Sequence, residues 1–239
     1  MYQAPRNLFS VSSDYKTKKG ERFGYLTAIL YMAPERSVEG HNLCPMAGPA
    51  GCAQVCLNTA GRGNMNSVQR ARLNRSQYFI EAQSKFVDQL VSEIESLKRR
   101  AARKNMELVV RLNGTSDILW ERIRAQRAGQ SYDNLMSAFP DIQFYDYTKR
   151  PGRCVPENYH LTFSYSEHTP EFRQIAEREH SQGRSIAVVF RNQVPSTWRD
   201  HRVVNGDETD LRFLDSAGSV IGLRAKGRAR HDQLGLVVE

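Results

Sequence analysis

Short runs of β-branched and aromatic residues recur along almost the whole chain, separated by stretches with helical periodicity. Seven runs can be delimited, covering residues 25–32, 107–114, 142–148, 159–166, 185–191, 201–206 and 219–227. Strands that alternate with helices are typical of a parallel sheet with crossover helices. The pattern therefore predicts an α/β fold: a single-domain partial β/α barrel of about six to seven parallel strands over residues 1–239, with an open doubly wound sheet as the alternative.

The longest helical pattern lies between the first two predicted strands, within residues 67–104. Its apolar positions recur at spacings of seven, four, four and three: Phe79, Phe86, Leu90, Ile94 and Leu97. These spacings predict a helix with one face against the sheet. Two shorter helices are predicted over Ile118 to Gln126 and over Pro170 to Gln182. The second has Thr169 before its first turn and Gly183 after its end.

Residues 33–66 show no periodicity, and they contain three of the four cysteines. Cys44, Cys52 and Cys56 have the spacing C-x7-C-x3-C in a loop rich in glycine and proline. Such a loop can fold tightly around a metal ion or an iron–sulfur cluster. Because it follows the first predicted strand, it should leave the C-terminal edge of the sheet, where β/α barrels build their active sites.

Two other interpretations of these thiols remain open. A closed zinc site completed by Cys154 or His41 would serve only to stabilise the long loop, although zinc sites more often use closer cysteine pairs. Alternatively, the thiols are small core residues. Cys154 follows the third predicted strand, so it could also supply a fourth ligand to a cluster.

Composition narrows the class of protein and of partner. The chain has 239 residues with 34 Lys+Arg against 26 Asp+Glu, a formal net charge of +8. It is too apolar for a disordered tail and has too few cysteines for a disulfide scaffold. The absence of a signal-like segment, and an apolar stretch too short to span a bilayer, predict a cytoplasmic protein without a membrane partner. The positive charge favours an anionic partner such as a nucleic acid or a nucleotide.

Part of the positive charge forms a regular pattern near the C-terminus. Arg224, Lys226, Arg228 and Arg230 occupy every second position. If this segment is extended, all four side chains point to one face and could contact phosphates. The alternative is an edge strand whose charges discourage aggregation.

Polar residues follow several of the predicted strands, where they should share the edge of the sheet with the cysteine loop. They are Asn113, Gly114, Thr115, Ser116 and Asp117 after the second strand, Ser164, Ser166 and Glu167 after the fourth, and Asp207 after the sixth. Helix capping is the structural alternative. Sequence signatures of serine hydrolases, phosphate loops, zincins and dinucleotide-binding folds are not found, which disfavours those functions.

A three-cysteine loop after the first strand of a β/α barrel resembles the radical S-adenosylmethionine (SAM) enzymes. Their usual spacing is C-x3-C-x2-C, from which this chain departs. The resemblance implies a [4Fe-4S] cluster on Cys44, Cys52 and Cys56, with SAM on the open iron and an external electron donor. It also implies that residues 113–117 receive the SAM amino group and that Ser164 or Ser166 holds the ribose. Glu167 and Asp207 then become candidate catalytic acid/base or substrate-orienting groups.

A more specific resemblance covers nearly the whole chain. The segments NLCP, CLNTAGRG, RLNGTSD, FYDYTK, YHLTFS and GDETDLRFLD resemble a family of phage- and plasmid-borne proteins that carry the gene product 88 domain. This resemblance implies a phage-type origin, with the bacterial host cytoplasm as the location. We therefore expect a radical SAM-like iron–sulfur enzyme acting on a nucleotide or nucleic acid. The alternative is a zinc-stabilised, non-catalytic phage protein that binds nucleic acid or a host protein.

Overall fold

A ten-stranded sheet organises the computed structural model, which describes residues 3–12 and 15–239. The strands along the chain are β1 (Phe9–Val11), β2 (Tyr25–Leu30), β3 (Glu107–Arg111), β4 (Ala125–Arg127), β5 (Gln130–Tyr132), β6 (Gln143–Thr148), β7 (Tyr159–Ser164), β8 (Ile186–Phe190), β9 (Thr197–Trp198), β10 (His201–Asn205), β11 (Val220–Arg224) and β12 (Val237–Val238). Strands β4 and β5 form a separate hairpin. All seven predicted runs contain a strand of the large sheet.

The strand order is β1-β2-β3-β6-β7-β8-β11-β10-β9, with β12 pairing beside β8. The seven strands from β2 to β10 in this order are parallel to their neighbours, while β1 and β9 pair antiparallel at the two ends. The fold is therefore a mixed α/β domain with a large, mostly parallel sheet, as predicted in outline. No pairing between the described strands closes the sheet, so it is not a closed barrel, and the partial-barrel description stays a prediction.

Five α-helices accompany the sheet: α1 (Tyr15–Glu21), α2 (Asn66–Glu81), α3 (Gln83–Ala102), α4 (Leu135–Ala138) and α5 (Pro170–Ser181). The prediction of one long helix over 67–104 is wrong, because Ala82 leaves the helical region with φ −148° and ψ 56°. The break brings Phe79 and Phe86 into edge contact, with ring centroids 5.4 Å apart. No glycine or proline marks this break, since it is the packing of the two helices that creates it.

The predicted helix over Ile118 to Gln126 is also wrong. Only a 3-10 turn forms there, at Trp120–Arg122, and β4 follows. The side chain of Asn113 holds this segment in a loop by accepting from the backbone N–H of Ile118 at 2.9 Å. By contrast, α5 is confirmed: Thr169 Oγ1 accepts from the N–H of Phe172, and Gly183 follows the helix with φ +89°.

The two faces of the sheet are covered in different ways. Helices α2 and α3 pack on the first face, where Leu26, Val110 and Phe144 meet Phe86 and Leu90 in the main apolar core. Alternate strand residues point to the second face. There Arg111, Tyr145 and Tyr147 lie against residues 206–215, which include a 3-10 turn at Arg212–Leu214. The second face is thus partly polar, with Arg111 and Tyr145 buried and Tyr147 partly buried.

No helix in the described parts of the chain is long and apolar enough to cross a membrane.

Candidate functional site

The segment between β2 and α2 lies across the C-terminal ends of the parallel strands. It is fixed to the end of β3 by two hydrogen bonds: Asp117 N donates to Leu43 O at 2.8 Å, and Thr115 Oγ1 donates to Met32 O at 2.5 Å. It is fixed beyond β7 by Ser166 Oγ, which donates to Ala50 O at 2.8 Å. The cysteines are therefore held at the C-terminal edge of the sheet.

Close packing continues at Gly51, which has φ +68°. A Cβ added there would lie 2.6 Å from the ring of His168. Only glycine fits both the backbone conformation and the space. This contact brings the cysteine-bearing segment against the residues that follow β7.

Cys44, Cys52 and Cys56 are all half-buried in this segment. Cys44 Sγ lies 3.7 Å from Thr115 O, and Cys56 Sγ accepts from Asn58 N at 3.4 Å. Burial raises the pKa of all three thiols, that of Cys44 to about 12, and negative charge on Cys52 or Cys56 raises it further. The three thiols are close enough to influence one another electrostatically, and burial favours their protonated form at neutral pH even though the charge of Lys149 opposes this at Cys52 and Cys56.

The three cysteines do not form a metal-binding group in the arrangement that the structure shows. Within residues 3–12 and 15–239, no three side chains of the His, Cys, Asp and Glu types are close enough together to hold a metal ion. Cys154 and His41, the two candidates for a fourth ligand, are both exposed. Arg153 turns inward and pairs with Glu121 at 2.6 Å, which leaves the neighbouring Cys154 on the outside.

Lys149 adds a positive charge to the cysteine region. Its backbone N–H donates to Asp117 Oδ2 at 2.8 Å, and its Nζ lies 3.5 Å from Ser164 O. Burial lowers the pKa of Lys149, while negative charge on Cys52 or Asp117 opposes that shift. Burial also raises the pKa of Asp117, against the hydrogen bonds it accepts from Lys149 and Thr148. The ammonium is consequently positioned to stabilise any negative charge that develops on the thiols.

Most of the polar residues after β3 have structural contacts. Asn113 Oδ1 accepts from Ser116 Oγ and Trp120 Nε1, at 2.9 and 3.2 Å. Gly114 has no room for a side chain, since a Cβ would lie 2.7 Å from the ring of Tyr31. The backbone carbonyl of Thr115 is the polar group of this set that lies beside a cysteine.

The remaining strand-end candidates are dispersed. Ser166 Oγ is engaged with the cysteine segment through Ala50 O. Glu167 is exposed and pairs with Arg199 at 2.8 Å, and Asp207 forms an ion pair with Lys226. No hydrogen bond or ion pair among the described residues joins Glu167 or Asp207 to the three cysteines. Their assignment as catalytic groups stays a prediction.

The basic segment near the C-terminus adjoins the cysteine segment. Strand β11 ends at Arg224, the backbone at Lys226 is still extended, and a 3-10 helix follows at Gly227–His231, so the condition of a continuous extended run is not met. The four basic residues are each exposed, while Ala225 and Ala229 between them are buried. These two alanines form a small apolar cluster against which Val55 of the cysteine segment packs. The exposed positions are Arg224, Lys226, Arg228 and Arg230.

Comparison with known protein families identifies the chain. The sequence model of the family described as gene product 88 matches residues 7–238. The chain belongs to the gene product 88 family. No curated protein and no solved structure matches it. The family assignment confirms the phage-type relationship predicted from the sequence segments.

Sequence reasoning assigned no role to Lys149 in this gene product 88 protein. The residue lies immediately after β6, in the segment FYDYTK. Its position beside the cysteines depends on the parallel pairing of β6 with β3 and β7. The available signal was its place at a strand end, and that signal alone could not separate it from an exposed lysine.

Proposed function

We propose that this protein is an iron–sulfur enzyme in which Cys44, Cys52 and Cys56 bind a [4Fe-4S] cluster for radical SAM-type chemistry. The observation that carries the proposal is the position of these three thiols, delivered by one segment to the C-terminal edge of a parallel sheet. Parallel α/β folds place their active sites at that edge. A nucleotide or nucleic-acid substrate accords with the net charge of +8.

The donor set fits a cluster by its chemistry. Iron–sulfur clusters are held by cysteine thiolates, and the three half-buried thiols occur with the ammonium of Lys149, which stabilises negative charge in the same region. The sulfurs are too far apart for a metal ion as they stand. Binding must therefore draw the segment around residues 44–56 together, and a loop of this kind can do so more readily than a strand or helix.

The surrounding groups of this chain would bind and orient the cofactors. Cys44, Cys52 and Cys56 would hold the cluster, which when bound would supply one-electron chemistry for reductive cleavage of SAM, with the electron taken from an external donor. Thr115 O, 3.7 Å from Cys44 Sγ, would accept a hydrogen bond from the SAM amino group. Lys149 would offset the negative charge of the bound thiolates. Asn113 and Ser116 would act by fixing the loop that presents Thr115 O.

Metal analysis of the protein purified without oxygen tests the proposal. We expect iron and acid-labile sulfide in near-equal amounts, together with an electron paramagnetic resonance signal after reduction. Cys44→Ser should lose both, because it removes one of three ligands. Cys154→Ser is the matched control and should keep both, since Cys154 is exposed and separate from the other three. Stoichiometric zinc without iron would contradict the cluster, and iron without SAM cleavage would contradict the radical reaction.

A second candidate function is a non-catalytic, zinc-stabilised protein that binds nucleic acid. One observation favours it: the basic segment packs on the cysteine segment through Val55, so a metal there would also order the surface that carries Arg224 to Arg230. Such a surface should bind DNA or RNA with a steep salt dependence, with a slope of about −0.9 per phosphate contact on duplex DNA.

Paired substitutions test this binding. Arg224→Gln with Arg228→Gln should weaken nucleic-acid binding and flatten its salt dependence. The control is Arg100→Gln with Arg103→Gln at the end of α3, which removes the same charge elsewhere on the molecule. Equal effects of the two pairs would mean that only net charge matters, and binding that is absent or insensitive to salt would remove the nucleic-acid partner.

A further inference from the structure

A cavity of about 530 Å³ lies between α5 and the β9–β10 hairpin, and no residue of the cysteine segment lines it. Four of its nine lining residues carry aromatic rings: Tyr165, Trp198, His180 and His201. Trp198 and His201 face each other directly across the hairpin register. The volume is in the range of sites that take small molecules.

Helix α5 supplies the opposite wall of the cavity. Glu177 and His180 are three residues apart, so both lie on the helix side that faces the hairpin. The rings of His180 and His201 meet edge to face, with centroids 4.8 Å apart. The cavity therefore brings rings from a helix and from a hairpin to one place, which favours a planar aromatic ligand that can stack on them.

The charges at the rim are balanced. Arg199 pairs with Glu177 at 2.6 Å and with Glu167 at 2.8 Å, and Arg173 lies 3.8 Å from Glu177. The guanidinium of Arg199 also lies over the ring of Trp198, 4.6 Å from its centroid. Two cations thus face two carboxylates, and nothing at the rim selects a phosphate. The ligand that fits is a neutral ring.

The backbone of the β9–β10 turn is strained, which indicates that other contacts hold the turn in this conformation. Arg199 and Asp200 form the two-residue turn with φ of +46° and +64°. Such turns favour glycine or asparagine, and other residues in this region of φ are strained by about 1 kcal/mol or more each. The ion pairs and ring contacts of Arg199 offset that strain and keep Trp198 in position.

Hydrogen-bonding groups narrow the ligand class further. His180 Nε2 lies 2.9 Å from Gly218 O. Because a carbonyl oxygen only accepts, Nε2 donates in this contact, which leaves Nδ1 as the ring nitrogen that can accept from a ligand. The carboxylate of Glu177 is a second acceptor on the same wall. Acceptors beside stacked rings fit a ring that carries an amino group.

We propose that this cavity binds a nucleobase with an exocyclic amino group, such as adenine, between the Trp198–His201 pair and α5. The proposal does not depend on a metal at the cysteines. A free nucleoside and a base of a single-stranded nucleic acid share this chemistry. Because the rim is neutral, adenosine and adenosine monophosphate should bind equally, and added salt should have little effect.

Tryptophan fluorescence provides a direct readout, since the chain has two tryptophans and Trp120 is fully buried in the main core. Adenosine should quench the emission of Trp198, while uridine, which lacks the amino group, should bind more weakly. Trp198→Ala should weaken adenosine binding by about tenfold in equilibrium dialysis, as loss of a base–aromatic stack does. Glu177→Gln should narrow the difference between adenosine and uridine. A short oligoadenylate compared with adenosine distinguishes a strand from a free nucleoside.

Three results would overturn the proposal. They are undiminished adenosine binding in Trp198→Ala, equal binding of adenosine, uridine and phenol, and the absence of binding to the intact protein. Circular dichroism and the emission of Trp120 verify that each variant is folded. Nucleobase binding in a Cys44→Ser variant that has lost its metal would show that the two sites are independent, and its loss there would contradict that independence.

Discussion

The two faces of the sheet are equally buried but differ in chemistry. On the first, Phe86 and Leu90 of α3 contact strand residues through apolar surface only. On the second, Arg111 pairs with the buried carboxylate of Asp210 at 2.7 Å. Arg111 also lies 3.6 Å from the buried carboxylate of Asp146, which by strand alternation is on the same side of β6 as Phe144. Arg212 nearby is 0% exposed. One face depends on the hydrophobic effect and shape, and the other on a charge network whose members need one another.

This difference has consequences for tolerance to change. A buried apolar side chain can be truncated one group at a time, and the loss in free energy of unfolding increases with the volume of the cavity that is left. Removal of one member of a buried ion pair is strongly destabilising, because the other charge stays buried without a partner. The hydroxyls of Tyr145 and Tyr147 already lack hydrogen-bond partners among the described residues. The polar face should therefore be the more sensitive of the two.

The largest effect is expected on the polar face. Arg111→Met leaves Asp146 and Asp210 without their cation, and should lower the free energy of unfolding by about 3–5 kcal/mol. Guanidinium denaturation measures this change. Arg127→Met is the matched control, since its pair with Glu95 at 3.2 Å is partly exposed. Equal losses in the two variants would contradict the comparison of the faces.

Truncation of a single side chain on the apolar face should lower the free energy of unfolding by a smaller amount. Leu90→Ala removes a fully buried side chain from the core beneath α3 and should cost about 3 kcal/mol. Leu97→Ala, on the same helix but only partly buried, should cost clearly less. A cost that is the same at both positions would mean that burial does not set the energetics of this face.

A pH dependence should report on the buried carboxyl group of Asp146 beside Arg111. Burial raises the pKa of Asp146 from 3.8 to about 7, partly offset by Arg111. The unfolded chain loses this proton near pH 4 and the folded chain only near pH 7, so the stabilisation from protonated Asp146 is complete below pH 4 and is lost as pH rises to 7. The difference in unfolding free energy between the native chain and Asp146→Asn should shrink over that window. A difference that stays constant with pH would show that Asp146 does not titrate there.

The smallest effect is expected outside both faces. Lys226→Gln breaks the ion pair with Asp207. The side chain of Lys226 is 49% exposed and that of Asp207 is 27% exposed. Exposed pairs contribute about 0–1 kcal/mol, less at high salt. Thermal unfolding at two salt concentrations should show a slight decrease at low salt and none at high salt. A loss as large as that of Leu90→Ala would show that this surface matters to folding.

The sequence pattern located the strands well and the helices less well. All seven runs became parallel strands. Six of these are mostly buried, and strands buried on both faces leave a continuous apolar signature, whereas β10 is largely exposed. The break at Ala82 and the loop at Ile118 left no comparable signature. Both involve local side-chain contacts that hydrophobic periodicity does not report: Phe79 with Phe86, and Asn113 Oδ1 with the N–H of Ile118.

The candidate site was likewise predicted only in part from the sequence. Cys44, Cys52 and Cys56 were identified from their spacing. Their position after the first predicted strand was identified from the strand pattern. Their contact with Thr115 O and their proximity to Lys149 could not be read from the sequence. The cavity beside Trp198 was missed altogether, because its walls come from α5 and a hairpin that no local pattern joins.

The sequence by itself determined the α/β class, the parallel strands, the clustered cysteines and the membership of the gene product 88 family. These follow from local periodicity, spacing and composition. Only the tertiary structure decided the strand order, the polar face around Arg111 and which strand-end residues meet the thiols. The physical reason is that pairing and burial are set by contacts between distant segments, whose energies no single segment encodes.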